Sequence, residues 1–438
     1  MPWYGELPER WEAQRIKNLF ALRDERNFEP LSEVRLLSLY TAIGVKPHNE
    51  IERTTGNRAI TADNYKKVYT NDIVVNIILC WQGAIGLSRH DGVTSPAYDV
   101  YRATSSNANV DYFNYLFRTP IFSGECYKAG RGIMAMRWRT YSDQFTAIHV
   151  PLPPQAEQDQ IVRFLDWKVS GINKLINAKK KQIALLQEQK RAIINDAISQ
   201  FGDVVRFRHV FTLTKGLTIT KANLVESGIP CVSYGQIHSK YGFEVNPEIH
   251  QLPFVPESYL ESNPQSLLHY GDFVFADTSE DIAGSGNFTY LNSNTPVFAG
   301  YHTIIARTTK KQNNRYIAYY LDSPKFRSQI QQKVNGVKVY SITRTKLNST
   351  FIVMPCEDEQ KHIVIMLDES CYNFARLIEA IRDEITLLNE YRTCLISDVV
   401  TGRMDVRGVA IPHHESVEEA ADTTDEELED TEGDNVAD

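Results

Sequence analysis

No stretch of this chain stays apolar for the roughly 18 residues that a membrane-spanning helix requires. The opening MPWYGELPERWEAQ lacks a basic segment followed by an apolar one, which argues against a secretory signal. The six cysteines (Cys80, Cys126, Cys231, Cys356, Cys371, Cys394) are scattered, and no two stand at C-x-x-C spacing. That argues against a zinc ribbon or a disulfide framework, and reduced thiols in the cytoplasm are the expectation.

Catalytic signatures are missing too. There is no G-x-x-x-x-G-K-[ST] loop to cradle ATP phosphates. The Asn- or Asp-Pro-Pro-aromatic motif of an adenine methyltransferase is absent, because Pro153-Pro154 is flanked by Leu152 and Gln155. GSGNF at 284–288 is glycine-rich but lacks the strand–loop–helix spacing of a cofactor site. The eleven histidines include no H-x-x-x-H pair, and no sequence feature pairs two carboxylates as acid and base. We expect no catalytic residues, no metal ligands and no cofactor in this chain.

Charge is present in quantity but unevenly placed. The formal net charge is −8 for 438 residues. Twelve of the 55 acidic residues fall in 415–438, which has no Lys or Arg, so the body carries 47 basic against 43 acidic side chains, near +4. The acidic end has too few large apolar side chains to offset the entropy of ordering, and residues 409–438 are read as a disordered tail. A solubilising appendage is one role for it; a nucleic-acid mimic competing for a basic groove is another.

The body is written twice. PPQAEQDQIVRFLD at 153–166 returns as PCEDEQKHIVIMLD at 355–368, an offset of 202. TNDIVVNI at 70–77 faces YGDFVFAD at 270–277, and TSPAYDVYRATS at 94–105 faces FAGYHTIIARTT at 298–309, all short strand-like runs. VDYFNYLFRTPIFSGECYK at 110–128 resembles NRYIAYYLDSPKFRSQIQQ at 314–332, an amphipathic helix, a proline and a second helix. Each half is therefore a mixed α/β domain ending in a strand, a proline stop and a long helix.

In the first long helix Ile172, Ile176, Lys179, Ile183, Leu186, Lys190, Ile193 and Ala197 step alternately by 4 and 3. Adding 202 gives Phe374, Ile378, Ile381, Ile385, Leu388, Arg392, Leu395 and Val399. A narrow seam of period 3.5 between polar flanks such as NAKKKQ at 177–182 and EAIRDE at 379–384 predicts a coiled coil. Residues 157–200 carry eight basic and five acidic side chains, and 357–402 carry four and ten. The two helices suit each other better than either suits itself, and an antiparallel intramolecular pair is expected.

The motif P-P-x-x-E-Q-x-x-I-V-x-F-L-D, with LLQEQKRAIINDAIS at 185–199 and LLNEYRTCLISDVVTGRMDVRG at 387–408, resembles the specificity subunits of type I restriction–modification enzymes. ELPERWEAQRIKNLF at 6–20 is similar to the usual start of that family, and NDIVVNIILCWQGAIGLSRHDGVTSPAYDVYR at 71–102 to its target-recognition domains. The resemblance covers residues 6–408. It implies an α+β fold in which two similar target-recognition domains are separated by two long helices forming an antiparallel coiled coil, as a pseudo-two-fold internal repeat. The divisions would be a first recognition domain over 1–154, a first spacer helix over 155–202, a second recognition domain over 203–355, and a second spacer helix with its C-terminal segment over 356–408. The implied partners are double-stranded DNA, two methyltransferase subunits and up to two restriction/translocase subunits. S-adenosylmethionine, ATP and magnesium would sit on those partners.

Two rigidly joined reading modules would fix the spacing of their half-sites and raise the effective concentration of the second contact. Because the copies diverge between 70 and 140 and between 270 and 345, an asymmetric, interrupted site is expected. In the first domain the glycine-flanked loop with Trp81 and Gln82 is a candidate DNA contact, Gln82 being suited to an adenine edge; a tight turn with Trp81 in the core is the competing reading. Arg131, Arg137 and Arg139 in AGRGIMAMRWR, and Lys338, Tyr340, Arg344 and Lys346 in NGVKVYSITRTK, interleave cations with aromatics as phosphate-contacting segments do. Thr278, Ser279, Glu280 and Asp281 take the place of the Trp81 loop in the second domain, offering a carboxylate to cytosine or a turn cap. A scaffold of two protein-binding domains on a coiled-coil strut, without DNA, remains the alternative.

Overall fold

The computed structural model describes residues 2–41, 43–48, 50, 61–132, 138–199, 202–334 and 339–418. The chain divides into two compact units, one of residues up to Lys181 with those from Ile381 onward, the other Gln182–Ala380. Both long helices, Gln155–Ser199 and Glu357–Val400, contribute a length to each unit. No described helix is long and apolar enough to cross a membrane.

Unit 1 is organised by a four-stranded antiparallel sheet in the order Phe20–Arg23, Tyr98–Ala103, Ile73–Asn76, Ile85–Leu87. Its central strand Ile73–Asn76 is buried at every position, which suits a β-branched run covered on both faces. The turn before it needs positive φ, supplied by Asn71 at 73°, and Asp72 then fixes it by accepting from Tyr69 N and Arg23 Nε, each at 2.9 Å. Helices Val110–Phe117 and Pro120–Ala129 follow; Asn109 caps the first, and Thr119 with proline at the first position starts the second. The strand His149–Leu152 returns to pair with Glu12–Arg15.

Unit 2 repeats the plan with a larger sheet, ordered Phe211–Lys215, Thr303–Thr308, Phe273–Ala276, Phe288–Leu291, Phe243–Val245. A second sheet, Phe254–Val255, Ile229–Val232, Val297–Ala299, Leu267–Leu268, is added to it. The turn before the central strand is now Gly271 at φ 84°. Glycine suits that φ, and a Cβ there would stand 2.0 Å from Asn314 Nδ2 and displace the amide that donates to Gly271 O at 3.1 Å. Asp272 accepts from His269 N and Arg307 Nε, both at 2.9 Å. Asn313 and Ser323-Pro324 start the two helices Asn314–Asp322 and Pro324–Gln331, and Phe351–Met354 closes on Asp203–Arg206.

The repeated proline–glutamine motif has one local job in both copies. Gln158 donates to Pro153 O at 2.8 Å, and Gln360 to Pro355 O at 2.9 Å. Each amide folds back from the first helical turn and ties it to the strand just ended. Both side chains are buried, where an unmade bond would be costly.

The helices pair antiparallel. In unit 1, Arg392 Nη1 donates to Asn173 Oδ1 at 2.7 Å and Lys179 forms an ion pair with Glu384, so numbering rises on one helix as it falls on the other. Ile172 and Ile176 are buried in one apolar cluster with Leu395 and Val399, and Ile385 and Leu388 pack against it half-buried. In unit 2, Ile378 is buried, and Ile183, Leu186 and Phe374 are half-buried.

Two expectations are corrected. Ile193 does not lie in the seam: it is 39% exposed, and the next residue, Ile194, is buried beside Ile198 and Leu367. A straight helix drifts by roughly 20° per heptad from a 3.5 repeat, so three heptads beyond Ile172 turn Ile193 out and bring Ile194 in. Residues 409–418 are not a free tail. Val409 and Ile411 pack on the unit 1 core, Asn173 Nδ2 donates to Val417 O at 2.9 Å, and Lys46 pairs with Glu418 at 2.7 Å. The acidic residues that dominate the end of the chain mask the aliphatic ones at the start of that segment in any average of composition. Residues 419–438 lie outside the described residues.

Candidate nucleic-acid interface

In each unit the chain leaves the central strand, and a later segment hydrogen-bonds back to its end. In unit 1, Thr140 N donates to Ile77 O at 2.9 Å; in unit 2, Ile342 N donates to Asp277 O at 2.8 Å. The candidate cation-bearing segments are thus held at the same corner of both sheets. The segments align in sequence, but the backbone bond that anchors each joins residues more than sixty positions apart and leaves no local signal.

In unit 1, Arg131 and Arg139 exchange two backbone hydrogen bonds, at 2.9 and 3.0 Å, closing a small ribbon. Arg131 is exposed, with its guanidinium 5.4 Å from the centre of the Tyr141 ring, and Arg139 is half-buried. Trp138 stacks on Tyr127 with centroids 4.8 Å apart, and its Nε1 donates to Tyr127 O at 3.0 Å. Gly130 permits this: a Cβ there would lie 2.6 Å from Trp138 Nε1. Trp81, half-buried in the turn Cys80–Gln82, lies tilted against Tyr127 with ring centroids 5.6 Å apart, while Gln82 is exposed. Trp81 is therefore packed at a tight turn, the competing reading of its loop, and also forms part of an aromatic row. Tyr127, Trp138 and Tyr141 were not singled out from sequence, because the row is assembled from three separate segments. Beneath it, burial pushes the Cys126 thiol well above its ordinary value. Arg137 lies outside the described residues.

In unit 2, Thr278–Ser279 pairs antiparallel with Tyr340–Ser341. Tyr340 is half-buried and Arg344 is exposed at the start of the helix Arg344–Asn348, which Thr343 caps. Lys346 Nζ donates to Ser341 O at 2.8 Å, so its ammonium braces the segment. Asp281 Oδ1 accepts from Gly284 N at 2.5 Å, the turn-capping role weighed for it. Glu280 is exposed. Lys338 lies outside the described residues.

Histidines and tyrosines missed in the sequence complete this corner. His238 Nε2 donates to Thr278 O at 2.8 Å and its Nδ1 accepts from Asn287 Nδ2 at 2.8 Å. A carbonyl can only accept, so the proton is assigned to Nε2. His302, at φ 55°, meets Asp277 Oδ1 at 3.2 Å and Tyr234 edge-on at 5.4 Å. Burial raises the Tyr301 hydroxyl above its ordinary value. The corner offers rings and donors of a kind that contact bases and phosphates. Among the described residues no group of His, Cys, Asp and Glu is placed to hold a metal ion.

Residues 202–387 match the family described as the type I restriction modification DNA specificity domain. The chain is similar to the specificity subunit of the type I restriction enzyme MjaVIII from Methanocaldococcus jannaschii, 23% identical over 434 residues, covering 92% of this chain and 95% of that protein. Its fold is also that of a solved chain from a study of complex assembly and conformational transition in the type I R-M system. The TM-score is 0.65 at 17% identity, over 91% of this chain and 100% of that one. Duplicated strand-end corners, an antiparallel helix pair and these likenesses converge: residues 202–387 belong to the type I restriction modification DNA specificity domain family, and the chain is similar along most of its length to a type I specificity subunit.

Proposed function

We propose that this chain supplies the sequence recognition of a type I restriction–modification complex, each unit reading one half of an interrupted, asymmetric DNA site. The observation that carries this is the repeated anchoring of a cation- and aromatic-bearing segment to the end of the central strand. The two corners share a frame but present different side chains, an aromatic row with Arg131 in one and a His–Tyr cluster with Arg344 in the other. Unlike side chains on like frames suit unlike half-sites.

Chemistry belongs to the partners in this reading. Two methyltransferase subunits carry S-adenosylmethionine, and restriction/translocase subunits carry ATP and magnesium. The long helices serve as the ruler between half-sites. A helix of 45 residues is about 68 Å long at roughly 1.5 Å per residue, and one heptad adds about 10 Å.

Methylome sequencing of cells carrying this chain with its methyltransferase provides the test. A bipartite asymmetric methylated motif is expected, and its gap is expected to change or recognition to vanish when one heptad is inserted into both helices. A scaffold without DNA recognition would yield no motif, and an unchanged gap would remove the ruler.

A further inference from the structure

The 202-residue repeat places one helix–helix groove in each unit, and the two grooves are finished differently. In unit 1 the groove is filled by the chain's own C-terminal segment. Val406 is 3% exposed and shares a core with Phe164, Leu395 and Val399, while Val409 and Ile411 pack against it. Gln160 Nε2 donates to Val406 O at 3.1 Å and Val409 O at 2.9 Å, and Arg407 Nε reaches Glu157 Oε1 at 3.8 Å. An extended aliphatic segment with one basic residue is thus held by apolar contact, by backbone recognition and by charge.

In unit 2 the equivalent positions form an open groove of about 720 Å³. Met366 replaces Phe164, Ile193 replaces Leu395, Ala197 replaces Val399, and His362 replaces Gln160; all four line the groove. Ile193 and Met366 are each 39% exposed. The rim keeps Glu359 and Asp196, the counterparts of Glu157 and Asp398, and adds Asp358, which stands where unit 1 has Ala156.

We propose that this groove docks an extended segment of a partner protein with the chemistry of Val406-Arg407-Gly408-Val409-Ala410-Ile411: aliphatic side chains spaced three and two apart, and a basic residue beside the first. The repeat supplies the shape argument, because the same helical positions already hold such a segment in unit 1. Charge selects among occupants. Three carboxylates at the rim favour a cation and disfavour the chain's own acidic residues 419–438. His362 stands where Gln160 donates to two carbonyls and has an imidazole N–H for the same task. Apolar burial at Ile193 and Met366 supplies the attraction. This goes beyond the DNA reading and does not depend on it.

The probe is a fluorescein-labelled peptide of residues 404–412, titrated with the full-length protein and followed by anisotropy. Saturable binding is expected, weakened roughly tenfold or more by Ile193→Lys or Met366→Lys, since each removes a buried apolar contact and adds a like charge. Arg407→Glu in the peptide should weaken binding to the unsubstituted protein comparably, a readout independent of whether the variants fold. No saturable binding, or equal affinity in both protein variants and for the charge-reversed peptide, overturns the proposal. A dimer of this chain that the peptide dissociates would assign the groove to a second copy and overturn it equally.

Discussion

Leu395 and Ile193 occupy the same position of the duplicated helices, yet Leu395 is 4% exposed and Ile193 39%. Both stand three heptads from the start of the seam and both suffer the same angular drift. What differs is the cover. In unit 1 the segment from Val406 to Ile411 packs over the helices, whereas unit 2 leaves the groove open. The lesson is that a repeated heptad pattern specifies which side chains face a partner helix only where the seam stays in phase. Beyond that point, burial is decided by whatever chain lies alongside.

The largest expected effect tests that statement directly. Leu395→Lys should cost about 3 kcal/mol or more, by burying an amine among apolar side chains, while Ile193→Lys should stay within about 0.5 kcal/mol. Urea unfolding midpoints measure both, and similar losses at the two positions would end the comparison.

A second contrast lies about three turns beyond the helix starts. Asp166 and Asp368 are equivalent, but Asp166 accepts from Tyr115 Oη at 2.8 Å, whereas Asp368 accepts from Arg315 Nε at 2.6 Å and from Tyr319 Oη at 2.5 Å. Arg315 also reaches Glu244 at 2.7 Å. Arg315→Ala should destabilise by about 2 kcal/mol, short of the fully buried value because about a third of each group is exposed. Tyr115→Phe should cost about 1 kcal/mol. Calorimetry of the two variants decides whether the arginine ion-pair lock outweighs the single tyrosine–aspartate hydrogen bond.

At the recognition corners the expected effects are smaller and separable. Arg131→Ala and Arg344→Ala should each reduce the slope of log affinity against log salt by about 1 and weaken binding by roughly 1 kcal/mol. Gel-shift titrations of the assembled complex at several salt concentrations test this, and unchanged affinities in both variants would remove these residues from the interface. The smallest effect belongs to the exposed Lys179–Glu384 pair. Lys179→Ala is expected to shift stability by less than about 0.5 kcal/mol, and the shift should shrink further at high salt.

Much of the architecture was legible because it rests on local rules written twice. Asn-Asp and Gly-Asp turns announce the central strands, Asn109 and Asn313 with Thr119-Pro120 and Ser323-Pro324 announce the paired helices, and each rule acts within a few residues of chain. The interface was only partly legible. Arg131 and Arg344 are reachable from charge and position, but the Trp81–Tyr127–Trp138 row and the His238–Thr278 contact join segments tens of residues apart. No spacing rule spans such distances. Residues 409–418 were misread because twenty acidic-rich positions outweighed three aliphatic ones in any average of composition.

From the sequence alone came the duplication, the element order, the helix seam as far as Leu186, and the choice of helix partner by charge. These depend on periodicity and on interactions between near neighbours. Tertiary structure alone decided the phase of the seam at Ile194, the docking of the C-terminal segment on one groove and not its twin, and the grouping of rings at each corner. Those outcomes depend on which distant surfaces meet, and burial free energy is set by the meeting and not by the order of residues along either surface.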